Sequence, residues 1–394
     1  MRGSHFPPSG LPELRLLSRP TRDLHRTELI LFSNMLKVAV DAMGGDRAPD
    51  AVVTGALLAA KELDAKILLV GQREIVESAL SKESFPRSNI EVVPASETVA
   101  MDESPSAALR KRDSSLKVAF ELLHKGEAQA VVSAGNSGAM MATGMFVLGN
   151  LPGVDRPAIL IAVPTPGRGT VIIDAGANVD CKPRHLVQFG VMGSVYSERV
   201  LGVPTPRIGV LSNGEEEGKG NELTRATSEQ LSSTELNYIG YVEGRDIFTG
   251  EVDVVVCDGF TGNVALKTME GLAGFIGSTL KGAFRQTLSS RLGYLLSGRS
   301  LRRAYTRLDY TEYGGAPLLG LNGVAIVAHG GSGPKAIKNA IRVGIETVSH
   351  DVNRHIIETL GEVAELSSTD DEKLPRRLWR RVRSKLEGKG GGDN

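Results

Sequence analysis

The chain has 394 residues, and its 46 basic side chains balance 46 acidic ones, so no overall charge favours binding to nucleic acid. Two cysteines, Cys181 and Cys257, are too few for a disulfide framework, and no apolar run is long enough to span a bilayer. These features predict a cytoplasmic protein with a large apolar core.

Residues 1–34 contain several arginines and one short apolar run, and we expect them to be a disordered extension or a non-native start. From residue 35 to 365, apolar runs alternate with helical patterns, which predicts one α/β domain. Such runs are typical of strands buried on both faces of a parallel sheet. They occupy residues 36–43, 65–71, 90–96, 129–135, 158–163, 170–176, 207–213, 252–259 and 323–330. The fold class that we predict is a three-layer α/β/α architecture around a doubly wound, mostly parallel sheet.

Polar side chains and glycines follow the predicted strands. The first strand ends in a turn that holds Asp41 and Asp46. Five later strands end in a similar way, with Ser133 and Asn136, Asp174 and Asn178, Asn213, Asp258 and Asn263, and His329 and Ser332. In a parallel sheet these ends share one edge, and glycine turns before helix N-termini can bind anions. We therefore expect one anion site at a single edge of the sheet.

Two glycine motifs give weaker signals. The stretch 214–221, "GEEEGKGN", has glycines spaced one residue too closely for a phosphate loop and no Ser or Thr after Lys219. The stretch 330–336, "GGSGPKA", is a weak dinucleotide fingerprint, which leaves a dehydrogenase-like or purely binding α/β protein as one alternative. No His or Cys spacing suits a metal, so we predict neither a metal site nor a cofactor, although Mg²⁺ could accompany a phosphate substrate.

A serine acyl hydrolase or thioesterase is the other alternative. In "GNSGA", Ser137 stands between a strand and a helix, as in a relaxed nucleophile elbow, and His329 would then be its base. Ala139 replaces the last glycine of that motif, and Ser137 fits a helix N-terminus equally well.

Several long motifs resemble those of the bacterial phosphate acyltransferase family of phospholipid synthesis. They lie between Leu36 and Val363, at residues 38–49, 133–139, 174–196, 213–224, 252–271 and 312–323. The resemblance implies a fold similar to isopropylmalate dehydrogenase and phosphotransacetylase, in a homodimer that is cytoplasmic and peripherally membrane-associated. It implies reversible transfer of an acyl group from acyl carrier protein to phosphate. A membrane enzyme would then use the acyl phosphate to acylate glycerol 3-phosphate.

That reaction requires a cradle for phosphate, donors for the oxyanion and a proton for the departing thiolate. Phosphate is itself a nucleophile, so we expect direct transfer without an acyl-enzyme. Our candidates for phosphate binding are Ser133, Asn136, Ser137, Gly138 and Lys182. Our catalytic candidates are Asn178, Asn213 and Asn263 as oxyanion donors and His329 as the proton donor. Supporting roles fall to Asp41, Asp46, Asp174, Asp258 and Lys267.

Two basic amphipathic segments are candidate docking surfaces. The pattern of residues 264–310 predicts a helical insertion, with a leucine-rich stripe at 280–296 flanked by Lys and Arg. Such a stripe suits a membrane surface, an acidic partner such as acyl carrier protein, or a helical hairpin packed across a dimer. Residues 366–394 form a basic tail, either disordered or an amphipathic helix that lies on anionic lipid through residues 371–389.

Overall fold

The computed structural model describes residues 35–216, 218–287, 289–298 and 314–367. Within these ranges, eleven strands form one sheet. They are β1 (Leu36–Asp41), β2 (Ala65–Gly71), β3 (Ile90–Pro94), β4 (Ala130–Ser133), β5 (Ala158–Val163), β6 (Thr170–Ile173), β7 (Ile208–Leu211), β8 (Tyr238–Val242), β9 (Val254–Val256), β10 (Ala316–Leu319) and β11 (Val324–Val327). All nine predicted apolar runs contain a strand, whereas β8 and β10 were not predicted.

The helices cover both faces of the sheet. They are α1 (Asp50–Glu62), α2 (Arg73–Ser81), α3 (Pro105–Ala108), α4 (Ser115–His124), α5 (Ser137–Val147), α6 (Pro183–Arg199), α7 (Glu222–Ser232), α8 (Gly259–Arg285), α9 (289–298), α10 (Pro334–Ser349) and α11 (Val352–Ser367). On β1, Val38 and Val40 pack with residues of α1 and α10, while Ala39 faces the opposite layer with α4 and α5. Alternate strand side chains point to opposite faces, which is why both layers need apolar residues. The predicted layered fold class is confirmed.

The strand order is β3-β2-β1-β4-β11-β10-β5-β6-β9-β7-β8. Most neighbouring strands are parallel, but β10 is antiparallel to both β11 and β5, and β5 is antiparallel to β6. Hence β6, β7 and β9 run opposite to β1, β4 and β11. The direction of the strands reverses in the middle of the sheet.

This reversal corrects our expectation that all the polar loops share one edge. The loops after β1, β4 and β11 lie at one edge, and those after β6, β7 and β9, which carry Asp174, Asn213 and Asp258, lie at the opposite edge. The cause is the short connection 164–169, "PTPGRG", which joins β5 and β6 as an antiparallel pair with Leu160 opposite Ile173.

Three of the predicted segments fall partly or wholly outside the described residues. These are the extension 1–34, residues 299–310 of the helical insertion and nearly all of the tail 366–394. The rest of the insertion lies in α8, which begins at Gly259, and in α9. Among the described helices, none combines the length and apolar character needed to cross a membrane.

Candidate functional site

A groove with a volume of about 570 Å³ runs across the middle of the sheet, beneath α8. Its walls are mainly apolar, and they come from residues 159–163 of β5, from the start of β10 and from α8. The apolar lining includes Ile159, Ile161, Val163, Phe248, Leu266, Met269, Leu272, Ala273 and Ile276. A cavity of this size and lining is typical of sites that bind a small ligand. A second cavity, of about 310 Å³, lies beside β3 and contains none of the predicted site residues.

The polar flank of the groove is formed by the loops after β4 and β11. Gly135, Asn136, Ser137, His329 and Gly330 line it. The side chain of Asn136 accepts a hydrogen bond from the N–H of the third residue of α5 at 2.9 Å, so it caps that helix. Its amide donates to two backbone carbonyls, at 2.7 and 3.0 Å. Asn136 is thus held by the fold, and it leaves the first N–H groups of α5 at the groove.

Ser137 and His329 differ from the elbow arrangement. Ser137 is exposed, and among the described residues its hydroxyl has no hydrogen bond. The Nδ1 atom of His329 accepts the N–H of Gly331 at 3.0 Å. Nδ1 is therefore unprotonated, and in the neutral ring the proton lies on Nε2. In this tautomer His329 is a hydrogen-bond donor at Nε2 and not a base for Ser137.

A buried carboxylate supports the polar flank from below. Asp41 accepts a hydrogen bond from the Ser133 hydroxyl at 2.7 Å, and Ser133 Oγ accepts the N–H of Gly135 at 3.0 Å. Burial raises the pKa of Asp41, while its hydrogen bonds oppose that shift. A Cβ on Gly44 would lie 2.6 Å from Asp41 Oδ2 and 2.9 Å from the nitrogen of Gly135. The aspartate and glycine turn after β1 is therefore built to pack against the next loop, and Asp41 and Ser133 do not line the groove.

Asp46 and Gly138 hold neighbouring parts of the same flank without lining the groove. The N–H of Asp46 donates to the carbonyl of Gly330 at 2.8 Å, which ties the first loop to the loop that carries His329. Gly138 lies in the first turn of α5, where a Cβ would be 3.3 Å from the Asn136 side chain. Ser332 is buried, and its N–H donates to the carbonyl of His329 at 2.8 Å.

At the opposite edge, Asp174 and Asn178 form a second buried network of hydrogen bonds. The Asp174 carboxylate accepts backbone N–H groups from Ile159, Gly176, Ala177 and Asn178, at 2.7 to 3.2 Å. The Asn178 amide donates to Asp174 and to a backbone carbonyl at 2.9 and 2.7 Å. Burial raises the pKa of Asp174, and these donors oppose the shift. Both side chains fold the loop after β6 and do not line the groove.

Three other predicted residues also lie away from the groove. Lys182 is exposed directly before α6. Asn213 accepts the N–H of Gly220 at 2.9 Å and so closes the loop before α7. Asp258 caps α8, since its carboxylate accepts both the N–H and the hydroxyl of Thr261.

Asn263 and Lys267 do line the groove, although they follow β9 at the far edge. They reach it because α8 starts at that edge and runs back along the sheet. The Nζ atom of Lys267 lies 2.8 Å from Glu270 Oε2, and Glu270 also lines the groove. An anionic group of a ligand in the groove could therefore compete with Glu270 for the charge of Lys267.

The sequence analysis missed the apolar residues that make up most of the groove. Leu266, Met269, Ala273 and Ile276 recur at helical spacing on α8, and this signal could have identified the stripe. Phe248 lies in a short 3₁₀ turn and gives no such signal. Among the described residues, no group of His, Cys, Asp and Glu is arranged to hold a metal ion.

Comparisons with known proteins identify relatives of this chain. A family described as "Fatty acid synthesis protein" matches residues 36–355. The phosphate acyltransferase of Geotalea daltonii is 56% identical over 328 residues, which cover 83% of this chain and 95% of that protein. The phosphate acyltransferase of Syntrophotalea carbinolica is 54% identical over 338 residues, which cover 85% and 97% of the two chains.

Solved structures of similar fold include two phosphotransacetylases. The enzyme from Streptococcus pyogenes aligns with a TM-score of 0.55 at 16% identity, over 83% of this chain and 99% of that chain. The EutD phosphotransacetylase from Staphylococcus aureus aligns with a TM-score of 0.51 at 16% identity, over 80% and 94% of the two chains. At this identity the likeness concerns the fold alone, and it confirms the predicted phosphotransacetylase-like architecture.

Proposed function

This chain belongs to the phosphate acyltransferases, a family of fatty acid synthesis proteins, and on that premise we propose that its acyl donor is the thioester of an acyl carrier protein. The acyl group passes reversibly to inorganic phosphate, and the acyl phosphate serves the acylation of glycerol 3-phosphate in phospholipid synthesis. The groove carries this proposal, since its long apolar wall suits a fatty chain and its polar flank suits an anion.

The chemistry that we propose is a direct displacement at the polar flank. An oxygen of hydrogen phosphate forms a bond to the thioester carbonyl carbon, the C–S bond then breaks, and the departing thiolate takes up the proton that the phosphate loses, which leaves acyl phosphate and free thiol. We assign the binding of oxygen atoms that carry negative charge to the N–H groups at the start of α5 and to His329, because these residues line the polar flank. Holding both reactants in one groove lowers the barrier by removing the entropy cost of their encounter.

The alternative function, an acyl-serine hydrolase, needs an unprotonated nitrogen within reach of Ser137. Nδ1 of His329 is occupied by the N–H of Gly331, and Nε2 carries the proton in the neutral ring. This arrangement favours phosphate, which needs no activation by a base, as the attacking group.

One assay separates the two functions. The full chain is incubated with a fatty acyl carrier protein, with and without inorganic phosphate, and free thiol is measured. We expect thiol release only with phosphate, together with acyl phosphate as the product. Release at an equal rate without phosphate would support the hydrolase. Ser137→Ala should keep measurable turnover, and an acyl adduct on Ser137 in the mass spectrum of the quenched enzyme would contradict direct transfer.

Two lysines provide a matched test of the phosphate cradle. Lys267 lines the groove beside its partner Glu270, whereas Lys182 lies exposed before α6. We expect Lys267→Met to raise the KM for phosphate about tenfold or more, because a charge-assisted contact to the anion is lost. Lys182→Met serves as the control, and we expect its KM for phosphate to be unchanged. If Lys182→Met raises the KM for phosphate and Lys267→Met does not, the phosphate site lies at the loop after β6 instead.

We also propose the partners that the family resemblance implies. Leu292, Leu295 and Leu296 on α9 are 60 to 80% exposed. Arg285 on α8 lies nearby, since its carbonyl accepts a hydrogen bond from the Arg291 guanidinium at 3.3 Å. A surface of this kind suits a second subunit, an acidic carrier protein or the anionic surface of the membrane that holds the glycerol 3-phosphate acyltransferase. Sedimentation velocity with and without anionic vesicles would test for a homodimer and for peripheral attachment. A monomer that does not pellet with vesicles would contradict both.

A further inference from the structure

The two flanks of the groove differ in chemistry and lie far apart. His329 follows β11, whereas Phe248 lies on the β9 side, because its neighbour Ile247 packs with Ile172 of β6 and Val255 of β9. The strand order places four steps between β11 and β9. At roughly 4.8 Å for each step, the flanks are on the order of 20 Å apart. The groove therefore leads from the polar flank at β11 to the side of β9, where Phe248 lies, and the ion pair of Lys267 and Glu270 on α8 also lines it.

The apolar flank ends at an aromatic side chain. Ile247 is only 2% exposed, whereas Phe248 is 48% exposed and lines the groove. Asp246 fixes this turn, since its carboxylate accepts the N–H of Glu243 at 2.7 Å and its carbonyl accepts the hydroxyl of Thr249 at 2.9 Å. The turn thus anchors itself through one apolar residue and presents the next one to the groove.

Apolar residues dominate the part of the groove near Phe248, since Val163 and Met269 belong to the same apolar cluster as its neighbour Ile247. Val163, Pro164, Met269 and Leu272 line the same cavity. A half-exposed phenyl ring gains little from its own burial, so the fold does not require this ring in the way it requires Ile247. A ligand that extends from the polar flank would meet the ring at the far end of its apolar part.

We propose that Phe248 closes the far end of the groove and thereby sets the length of the fatty acyl chain that the enzyme accepts. This inference rests on the proposed function, because that function places the acyl carbonyl at the polar flank and its methyl end beneath α8. Phe248 acts here on specificity, and it takes no part in the chemistry.

The test compares Phe248→Ala and Phe248→Trp with the parent chain. The kcat/KM is measured for a series of saturated acyl carrier proteins whose chains lengthen by two carbons at each step. Removing the ring lets the groove bury additional methylenes, each contributing about a fourfold gain in affinity. We expect Phe248→Ala to raise the preference for the next longer chain over the parent's best chain by about 15-fold, because that chain has two more methylenes. Phe248→Trp should shift the preference to shorter chains.

Phe146→Ala is the matched control. Phe146 is 68% exposed on α5, it does not line the groove, and its ring contacts Lys117 at 5.9 Å. We expect this variant to keep the parent's chain-length profile. The KM for phosphate should stay the same in all three variants, because none of the changes touches the polar flank.

Two readouts separate this inference from the proposed function. If the parent chain transfers acyl groups to phosphate but the profile of Phe248→Ala is unchanged, the inference is wrong and the function stands. Calorimetry with free fatty acids of the same lengths gives the second readout. If thiol release does not depend on phosphate, yet Phe248→Ala still binds longer fatty acids better, the proposed function is wrong. The inference that Phe248 limits the length of the bound chain then stands. Unchanged binding in that case refutes both.

Discussion

Replacing Ser133 by alanine would test whether the hydrogen bonds of Ser133 with Asp41 and Gly135, beneath the polar flank, stabilise the fold. The hydroxyl donates to Asp41 at 2.7 Å and accepts the N–H of Gly135 at 3.0 Å. The substitution removes a hydrogen bond to a carboxylate, which contributes about 1.5 to 3 kcal/mol, and it leaves a backbone N–H without its acceptor at a cost of about 1 to 3 kcal/mol. Because Gly135 is only partly buried and lines the groove, its N–H loses less than a fully buried one would, and we expect the free energy of unfolding to fall by about 2 to 4 kcal/mol.

Ser197→Ala is the matched control for this prediction. Both serines are buried, but within the described residues the hydroxyl of Ser197 has no hydrogen-bond partner. Removing an unpaired buried hydroxyl costs nothing or stabilises, so we expect a change within about 1 kcal/mol. Urea unfolding of the two variants, followed by circular dichroism, measures both values. Equal effects, or a loss below about 1 kcal/mol for Ser133→Ala, would refute the argument.

The loss in Ser133→Ala should also depend on pH. The Ser133 hydroxyl lowers the pKa of Asp41 against the effect of burial, so removing it raises that pKa further. A bond to the charged carboxylate stabilises only while Asp41 is ionised. We therefore expect the deficit of the variant to be fully present above the raised pKa of folded Asp41 and to shrink as the pH falls through it. A deficit that is constant with pH would assign it to packing.

The remaining predictions concern the elements that position the groove. The side chain of His185 is 4% exposed, and this burial lowers its pKa, so the folded state resists protonation. Stability should therefore fall as the pH drops below about 6.5, with a slope of up to about 1.4 kcal/mol per pH unit, and His185→Gln should flatten that slope in thermal unfolding. A methyl group on Gly262 would overlap the carbonyl oxygen of Asp174, so Gly262→Ala should destabilise by about 3 kcal/mol and lower acyl transfer. Gly271→Ala, which has open space on the same helix, should be neutral or stabilising by up to about 1 kcal/mol. Asp258→Ala removes the cap of α8 and should cost about 1 kcal/mol, measured by urea unfolding.

The sequence by itself determined the layers and nine of the eleven strands in the described residues. Nine apolar runs became strands because a strand buried on both faces must be apolar at consecutive positions, which is a local property. One helix start was also readable, since Ser137 fits a helix N-terminus and α5 begins there. The family motifs were equally visible, because they are contiguous in the chain.

Two strands escaped the sequence analysis for physical reasons. In β10, Pro317 removes a backbone donor, and proline within a run argues against a central strand, yet Pro317 pairs with Ile326 inside the sheet. The strand β8, Tyr238–Val242, is the outermost strand of the sheet. It is only partly buried and lacks a continuous apolar pattern. Burial and pairing in the folded sheet decided both cases.

Only the tertiary structure decided which polar residues meet. Apolar runs report that a strand is buried but not which way it points, because direction depends on pairing between distant segments. The antiparallel step between β5 and β6 therefore separates the loop of Asp174 and Asn178 from the loops of Asn136 and His329. Within the far loop, the side chains turn inward because buried backbone N–H groups need acceptors. The groove itself exists because α8 crosses back over the sheet. That crossing depends on contacts between α8 and strands that are distant in the sequence, so local sequence patterns do not specify it.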